Sequence, residues 1–420
     1  MLKKLIELRK NKIIMGGISL FIMINIFNFL NYVFHISMAR FLGPEDYGIL
    51  AVLMSLVYIF SIPNETIQTV ISRYTSKYSS EKNLGEIKYL LSKSLKKGIL
   101  IAIIIFLLYI PIAFILSEFL KINFVLTLLT GSMLFTVFTM PISRGILQGK
   151  KRFNELGINM VSESVIKLLL AVLFVLLGFK VFGAIGGVLI GSFSAFFLAF
   201  LPIKDILNSN SKKIDTSEIY SYGKPVFFAV ISIALMYSLD VILARRFFPS
   251  ELAGQYAVAS IIGKMIFFAT IGISKAMFPI ASEKFETGDN SNKILKKSLS
   301  LISLLCLSAV FILAFMPKFI ITILQFGEEY LPISGILIYT GIAFSLLSIT
   351  NLIIIYGLRS HKIKSTYFFL AFVLIEILLL TIFNQTLKSF SIALVVSNIF
   401  MLIGGIIFMR RYSCIELKQN

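Results

Sequence analysis

Long apolar runs joined by short basic connectors leave this chain few ways to fold. A helix that crosses the hydrocarbon core of a bilayer needs ~20 apolar residues, within a range of about 17–25. Read at that length, the sequence contains twelve candidate spans: 13–42, 46–72, 98–118, 122–148, 157–178, 182–204, 223–248, 254–280, 298–317, 331–358, 365–384 and 389–410. Composition agrees, with 57% of residues hydrophobic, 15% charged and a mean hydropathy of +0.91. A water-soluble fold could not cover that much apolar surface. The expectation is an all-α integral membrane protein with about twelve transmembrane helices.

The connectors orient the spans. The N-terminus, the connectors after even-numbered spans and the C-terminal tail carry most of the basic residues, among them Arg73, Lys77, Lys88, Arg144, Lys150, Arg152, Lys296, Arg359 and Arg410. Connectors after odd-numbered spans carry few, such as Arg40, Lys121, Lys180, Arg245 and Arg246. The positive-inside rule then places both termini in the cytoplasm of a multi-pass cell-membrane protein. The formal charge of +19 is spread over these connectors and forms no continuous stripe, so membrane lipid is the expected acidic neighbour and nucleic acid is not. The basic leader and following apolar run are longer than a signal peptide, whose apolar region spans ~7–15 residues. Two cysteines, Cys306 in an apolar run and Cys414 in the tail, do not suggest a disulfide framework. Between spans 2 and 3, Leu84, Ile87, Leu90, Leu91 and Leu95 recur at helical spacing with lysines between, which reads as an amphipathic helix lying on the inner leaflet.

A repeat divides the chain. Ala39-Arg40-Phe41-Leu42-Gly43-Pro44 returns as Ala244-Arg245-Arg246-Phe247-Phe248-Pro249, at an offset of 205. After one inserted residue, Gly48, Ala51 and Val52 meet Gly254, Ala257 and Val258 at 206. A repeat at half the chain length implies two similar halves. The expected domains are a six-helix bundle over 1–207, a polar cytoplasmic linker over 208–222 and a second six-helix bundle over 223–420, pseudo-symmetric around a central cavity.

No P-loop, H-E-x-x-H or cysteine cluster is present, and neither a catalytic nor a metal site is expected. The candidate functional residues are instead polar or ionisable groups inside apolar spans. A charge at mid-bilayer costs a few kcal/mol even on insertion scales, so such groups usually face a cavity. Lys264 lies ten residues beyond Gly254, ~15 Å along a helix. Lys167, Glu376, Asp240 and Glu65 also fall within spans. Asp240 matches His35 at the 205 offset, so both halves place a titratable group at that depth. Lys264, Lys167, Arg40 and Arg245, with Asn28 and Asn31, are candidate ligands for an anionic substrate. Glu376, Asp240 and Glu65 are candidates to hold a coupling cation, Na⁺ or H⁺. Simpler readings stand beside these. Glu163 and Lys167, at i and i+4, could neutralise each other. Glu65, Arg144 and Lys275 could snorkel to the inner surface. Arg40 and Arg245 could be interfacial anchors, and Asn25, Asn28 and Asn31 could hydrogen-bond between helices.

The stretch from Ala39 to Gly48 resembles the outer-loop signature of the polysaccharide biosynthesis flippases, the O-antigen-type branch of the multidrug/oligosaccharidyl-lipid/polysaccharide exporter superfamily. Asp240-Val241-Ile242-Leu243-Ala244, Ala253-Gly254-Gln255-Tyr256 and Gly145-Ile146-Leu147-Gln148-Gly149 resemble further motifs of that family. The resemblance implies two bundles that rock around a cavity. It also implies transport of a lipid-linked oligosaccharide, carried on polyprenyl phosphate or pyrophosphate, from the inner to the outer leaflet. Glycan-assembly enzymes would be its partners, and no cofactor beyond a coupling ion is implied. A drug/cation antiporter of the same superfamily and a membrane-embedded glycan enzyme are the alternative readings. Basic midplane residues disfavour cationic drugs, and the short outer connectors leave no room for a catalytic domain.

Overall fold

A computed structural model describes residues 12–80, 83–213, 224–286, 292–357 and 366–416. The basic leader, most of the linker and His361 lie outside the described residues, as do the side chains of Lys275 and Cys414. Every regular element among the described residues is helical.

The first half holds α1 (Lys12–Phe60), α2 (Ile62–Ser80), α3 (Leu84–Leu120), α4 (Phe124–Gly131), α5 (Met133–Gly149), α6 (Phe153–Phe174) and α7 (Lys180–Leu198). The second holds α8 (Lys224–Met236), α9 (Leu239–Phe247), α10 (Ser250–Glu286), α11 (Asn292–Phe315), α12 (Pro317–Ile323), α13 (Leu337–Gly357), α14 (Phe369–Ile382) and α15 (Leu387–Glu416). Among the described residues, nine helical stretches are long and apolar enough to cross a bilayer. Two of them, 19–79 and 153–207, run to 61 and 55 residues, enough for two crossings each. The shorter apolar α14 brings the crossings to about twelve.

The reversal inside α1 follows from its sequence. Gly43 adopts φ 70°, ψ 174°, outside helical space, and Pro44 follows. Glycine takes positive φ at little cost, and proline is well suited to restarting a helix. His35 Nε2 lies 3.2 Å from Tyr58 Oη. Along a straight helix those residues would stand ~35 Å apart, so the chain must double back between them. Helix α6 likewise returns as α7 through a π-turn in which Gly178 has φ 90°.

Two of the spans are interrupted. Span 2 is interrupted at Ser61, so Pro63 sits in the opening turn of α2 rather than kinking a helix interior. Span 7 is interrupted at Tyr237 and Ser238, directly ahead of Asp240.

The surface helix expected between spans 2 and 3 is not a separate element. Leu84 begins α3, which runs 37 residues to Leu120, ~55 Å and longer than the hydrocarbon core. Ile87, Leu90 and Leu91 are fully buried against Ile71, Tyr78, Ile146 and Ile206. The apolar face assigned to lipid thus packs on protein. The spacing is right, but amphipathic periodicity cannot say which apolar phase a face meets. Higher on α3, Leu100, Leu107, Leu108 and Ile115 are exposed, as residues facing acyl chains should be.

The chain divides into two compact units. One comprises Met1–Leu42 and Leu56–Gly223, the other Gly43–Ser55 and Lys224–Asn420. The short stretch after the α1 break therefore packs with the second half of the sequence. Within that second unit the two repeat copies touch: a Cβ on Gly48 would stand 2.9 Å from Gly254 Cα, and one on Gly254 would strike the Pro44 carbonyl. Arg245 of the second copy is buried there, in the electrostatic field of Glu45 and Asp46 of the first.

Candidate functional site

Each unit holds one polar cluster inside its apolar interior. In the second unit the cluster grows from the break in span 7. Restarting at Leu239 puts Asp240 in the first turn of α9, where a carboxylate is favoured by the helix dipole. Helix α10 faces it with Tyr256, Ser260 and Lys264, spaced by four and hence on one side. Lys264 Nζ donates to Asp240 Oδ1 at 3.1 Å, Ser260 donates to Oδ2, and Tyr256 donates to the same oxygen at 3.4 Å. The Lys264 ammonium also lies 5.5 Å from the centre of the Phe344 ring. Asp240 is wholly buried and Lys264 is 2% exposed.

Glu376, on α14, is wholly buried and interacts electrostatically with both Asp240 and Lys264. Neither of its carboxyl oxygens has a hydrogen-bond partner among the described residues. On α15, Asn398 donates to the Leu394 carbonyl, while its own Oδ1 accepts nothing. Two hydroxyls and an ammonium thus donate to Asp240, whereas the neighbouring acid has charge interactions and no hydrogen bond among the described residues.

The first unit is arranged differently. Lys167 lies ~21 Å along α6 from Phe153. Its backbone is pressed against Gly191 of α7, where an added Cβ would sit 3.0 Å from Lys167 Cα. The ammonium bonds the Asn31 side-chain carbonyl and lies 4.8 Å from the centre of the Phe34 ring. Asn31 is anchored in turn, its amide donating to the Phe27 carbonyl at 2.8 Å and to Ser164 Oγ at 3.4 Å. Phe34 is fully buried and packs edge-on against His35.

Glu163, the alternative partner for Lys167, acts on it electrostatically but makes its bonds elsewhere. Glu163 Oε2 accepts from Arg144 Nη2 at 2.7 Å and Oε1 accepts from Ser192 at 3.0 Å. Arg144, expected to reach for the inner surface, is instead buried. Its Nε donates to Asn159 Oδ1 at 2.8 Å, and Asn159 donates to the Ala195 carbonyl at 2.7 Å. A guanidinium fork fits a carboxylate better than a lysine one turn away, and burial removes water as a competitor.

Of the residues singled out by sequence, Lys264, Asp240 and Glu376 come together, and so do Lys167 and Asn31. Asn28 is half-buried one turn earlier on α1, Arg40 and Glu65 are exposed, and Arg245 lies beside Glu45 and Asp46. Sequence reasoning missed Tyr256 and Ser260, although their spacing of four with Lys264 was a usable signal. It also missed Asn159 and Ser192, for which nothing local gives a signal. No group of three or more His, Cys, Asp or Glu suited to a metal occurs among the described residues.

This fold, with titratable clusters inside membrane-spanning bundles, is that of a multi-pass helical membrane protein. A multidrug resistance MATE family transporter of the MOP superfamily, in its inward-facing conformation, matches over 93% of this chain and 96% of its own, with a TM-score of 0.73 at 14% identity. The lipid II flippase MurJ, in an inward closed conformation, matches over 94% and 87%, with a TM-score of 0.71 at 17% identity. A MOP superfamily transporter from Pyrococcus furiosus Vc1 (DSM3638), whose reversed pocket polarity suggests a different function for it, matches over 97% and 98%, with a TM-score of 0.65 at 16% identity. At these identities the likeness is one of fold. No curated protein matches the sequence. Residues 13–285 match the family model of polysaccharide biosynthesis proteins, and the chain belongs to that family.

Proposed function

We propose that this protein is a flippase that moves a lipid-linked oligosaccharide from the inner to the outer leaflet of the cell membrane by alternating access, driven by H⁺ or Na⁺. Its termini face the cytoplasm, as the distribution of Lys and Arg requires. Membership of the polysaccharide biosynthesis family supports the glycan cargo. The observation that carries the reading is Lys167: an ammonium inside the first bundle whose bonded partner Asn31 and ring neighbour Phe34 are both uncharged, with Glu163 acting on it only through its electrostatic field. It would meet the phosphate or pyrophosphate of a polyprenyl carrier. Glu376, beside the Asp240–Lys264 pair, is the group assigned to the coupling cation. The cargo would be handed over by, and passed on to, glycan-assembly enzymes.

Proteoliposomes holding a polyprenyl-pyrophosphate oligosaccharide test this. Leaflet exchange faster than in empty vesicles, with no uptake of a cationic dye, is the expected result. Dye movement without glycan exchange would favour the drug/cation antiporter, a reading encouraged by the MATE-like fold. Glu376→Gln should leave the protein folded and exchange insensitive to pH and Na⁺ gradients. If the parent protein responds to neither gradient, ion coupling is wrong. Lys167→Ala should weaken binding of the anionic carrier by about tenfold or more, as expected for loss of a charge-assisted hydrogen bond.

A further inference from the structure

We infer that Arg144 is a positioning residue for cargo charge: it holds Glu163 away from Lys167 and so leaves the Lys167 ammonium for an anion. Glu163 precedes Lys167 by one turn on α6, the order in which such pairs attract best. Left alone, the two would cancel. The structure instead engages both oxygens of Glu163 elsewhere, with Arg144 at 2.7 Å and Ser192 at 3.0 Å. Arg144 is fixed from its other side by Asn159, which is tied to the Ala195 carbonyl. The network joins α5, α6 and α7, and the ion pair is largely screened from its surroundings, with side-chain exposures of 9% and 16%.

Charge counting gives the consequence. Two cations share one carboxylate, and the carboxylate is bonded to the arginine. The remaining positive charge sits on Lys167, which feels Glu163 electrostatically from one turn away but has no carboxylate oxygen within 4.0 Å among the described residues. Arginine suits the task because its planar fork is preorganised and permanently charged, whereas lysine makes a looser point contact. The second unit shows the alternative, since Lys264 is bonded directly to Asp240. An ammonium with no bonded counter-ion in a membrane span is costly, and that cost is relieved each time an anionic headgroup docks. Arg144 therefore sets the sign of the site without touching cargo. The inference rests on the proposed reading of Lys167 as a contact for the carrier phosphate.

The test measures binding of a polyprenyl pyrophosphate to the full chain in nanodiscs, with thermal melts to monitor folding. Arg144→Met should release Glu163 onto Lys167 and weaken binding about tenfold. Arg144→Met/Glu163→Gln should restore most of the loss, because no carboxylate is left to cancel Lys167. A merely structural arginine would weaken binding only in step with a lowered thermal midpoint, in the single and the double variant alike, and a binding loss that tracks the melts in this way overturns the inference. If Arg144→Met does not fold, Arg144→Lys keeps the charge but loses the fork. It should weaken binding about threefold, again with rescue by Glu163→Gln, and absence of weakening or of rescue overturns the inference. Lys167→Ala separates the two claims. If it leaves binding unchanged, the reading of Lys167 itself has failed. If it abolishes binding while the Arg144 variants do not alter it, only the role of Arg144 has failed.

Discussion

The two halves make the same contact with different chemistry. In the first, His35 reaches Tyr58 at 3.2 Å; in the second, Asp240 reaches Lys264 at 3.1 Å. His35 and Asp240 match at the repeat offset of 205, and Tyr58 and Lys264 at 206, after the single inserted residue. One hairpin geometry thus serves both halves, with an uncharged phenol partner in one and an ion pair in the other. Duplication kept the scaffold and let the charges diverge. The first half carries its ammonium on a later helix, at Lys167, with an amide and a ring for company. The second half matches its ammonium with a carboxylate and adds Glu376 beside the pair. The first ammonium has no carboxylate bonded to it among the described residues, whereas the second is bonded to one.

The strongest way to break this comparison is to remove one member of the charged pair. Lys264→Met would leave Asp240 and Glu376 buried together without their cation. Breaking a buried ion pair from one side costs ~3–5 kcal/mol, because the surviving charge has no water to turn to. A lowered thermal midpoint in detergent is expected, with much of it recovered in Asp240→Leu/Lys264→Met, where both charges are gone. If Lys264→Met melts like the parent, the pair is solvated and the second half is not the closed cluster described here.

The contact between repeat copies sharpens the comparison at a smaller scale. Gly48 and Gly254 occupy equivalent positions and lie against each other, so either substitution disturbs one shared contact. A Cβ on Gly254 would collide with the Pro44 carbonyl, and backbone cannot swing aside as a side-chain tip can. Overpacking typically costs ~1–3 kcal/mol. Gly254→Ala should fall in that range and Gly48→Ala somewhat below it. The double variant should cost less than the sum, because the two sites share a contact. Additive losses would mean that the two glycines are not packed on each other.

What the sequence revealed and what it hid divide along physical lines. Spans were legible because hydrocarbon demands long apolar runs, and a repeat at half length announced the duplication. Asp240, Lys264 and Glu376 could be flagged because ionisable groups are rare where they lie. Whether two of them would pair could not be read, since that depends on where α10 and α14 pack. The same limit holds at Glu163, for which local spacing offered Lys167 as a partner. Arg144 outcompetes it from another helix, and nothing near Glu163 in the chain announces that. The face of α3 below Leu95 was misassigned because lipid and a protein core are equally apolar. The transfer of Gly43–Ser55 to the second unit was hidden because its packing partners lie some two hundred residues away.

The smallest effect tests the neutral side of the repeat. Tyr58→Phe removes the hydroxyl that meets His35 Nε2 and leaves the ring in place. A single hydrogen bond typically contributes ~0.5–1.5 kcal/mol, so the loss should be a few-fold smaller than that of Lys264→Met. Tyr58→Lys is the more searching variant, because it writes the second half's residue into the first half's hairpin. No carboxylate awaits it at position 35, so the new ammonium should destabilise the fold more than Tyr58→Phe. Pairing it with His35→Asp should recover part of that loss by rebuilding the ion pair on the duplicated geometry. Thermal melts of the four proteins read the coupling directly. Recovery would show that the two hairpins differ in their side chains alone. A double variant worse than Tyr58→Lys would show that the first hairpin has lost the spacing that the pair requires.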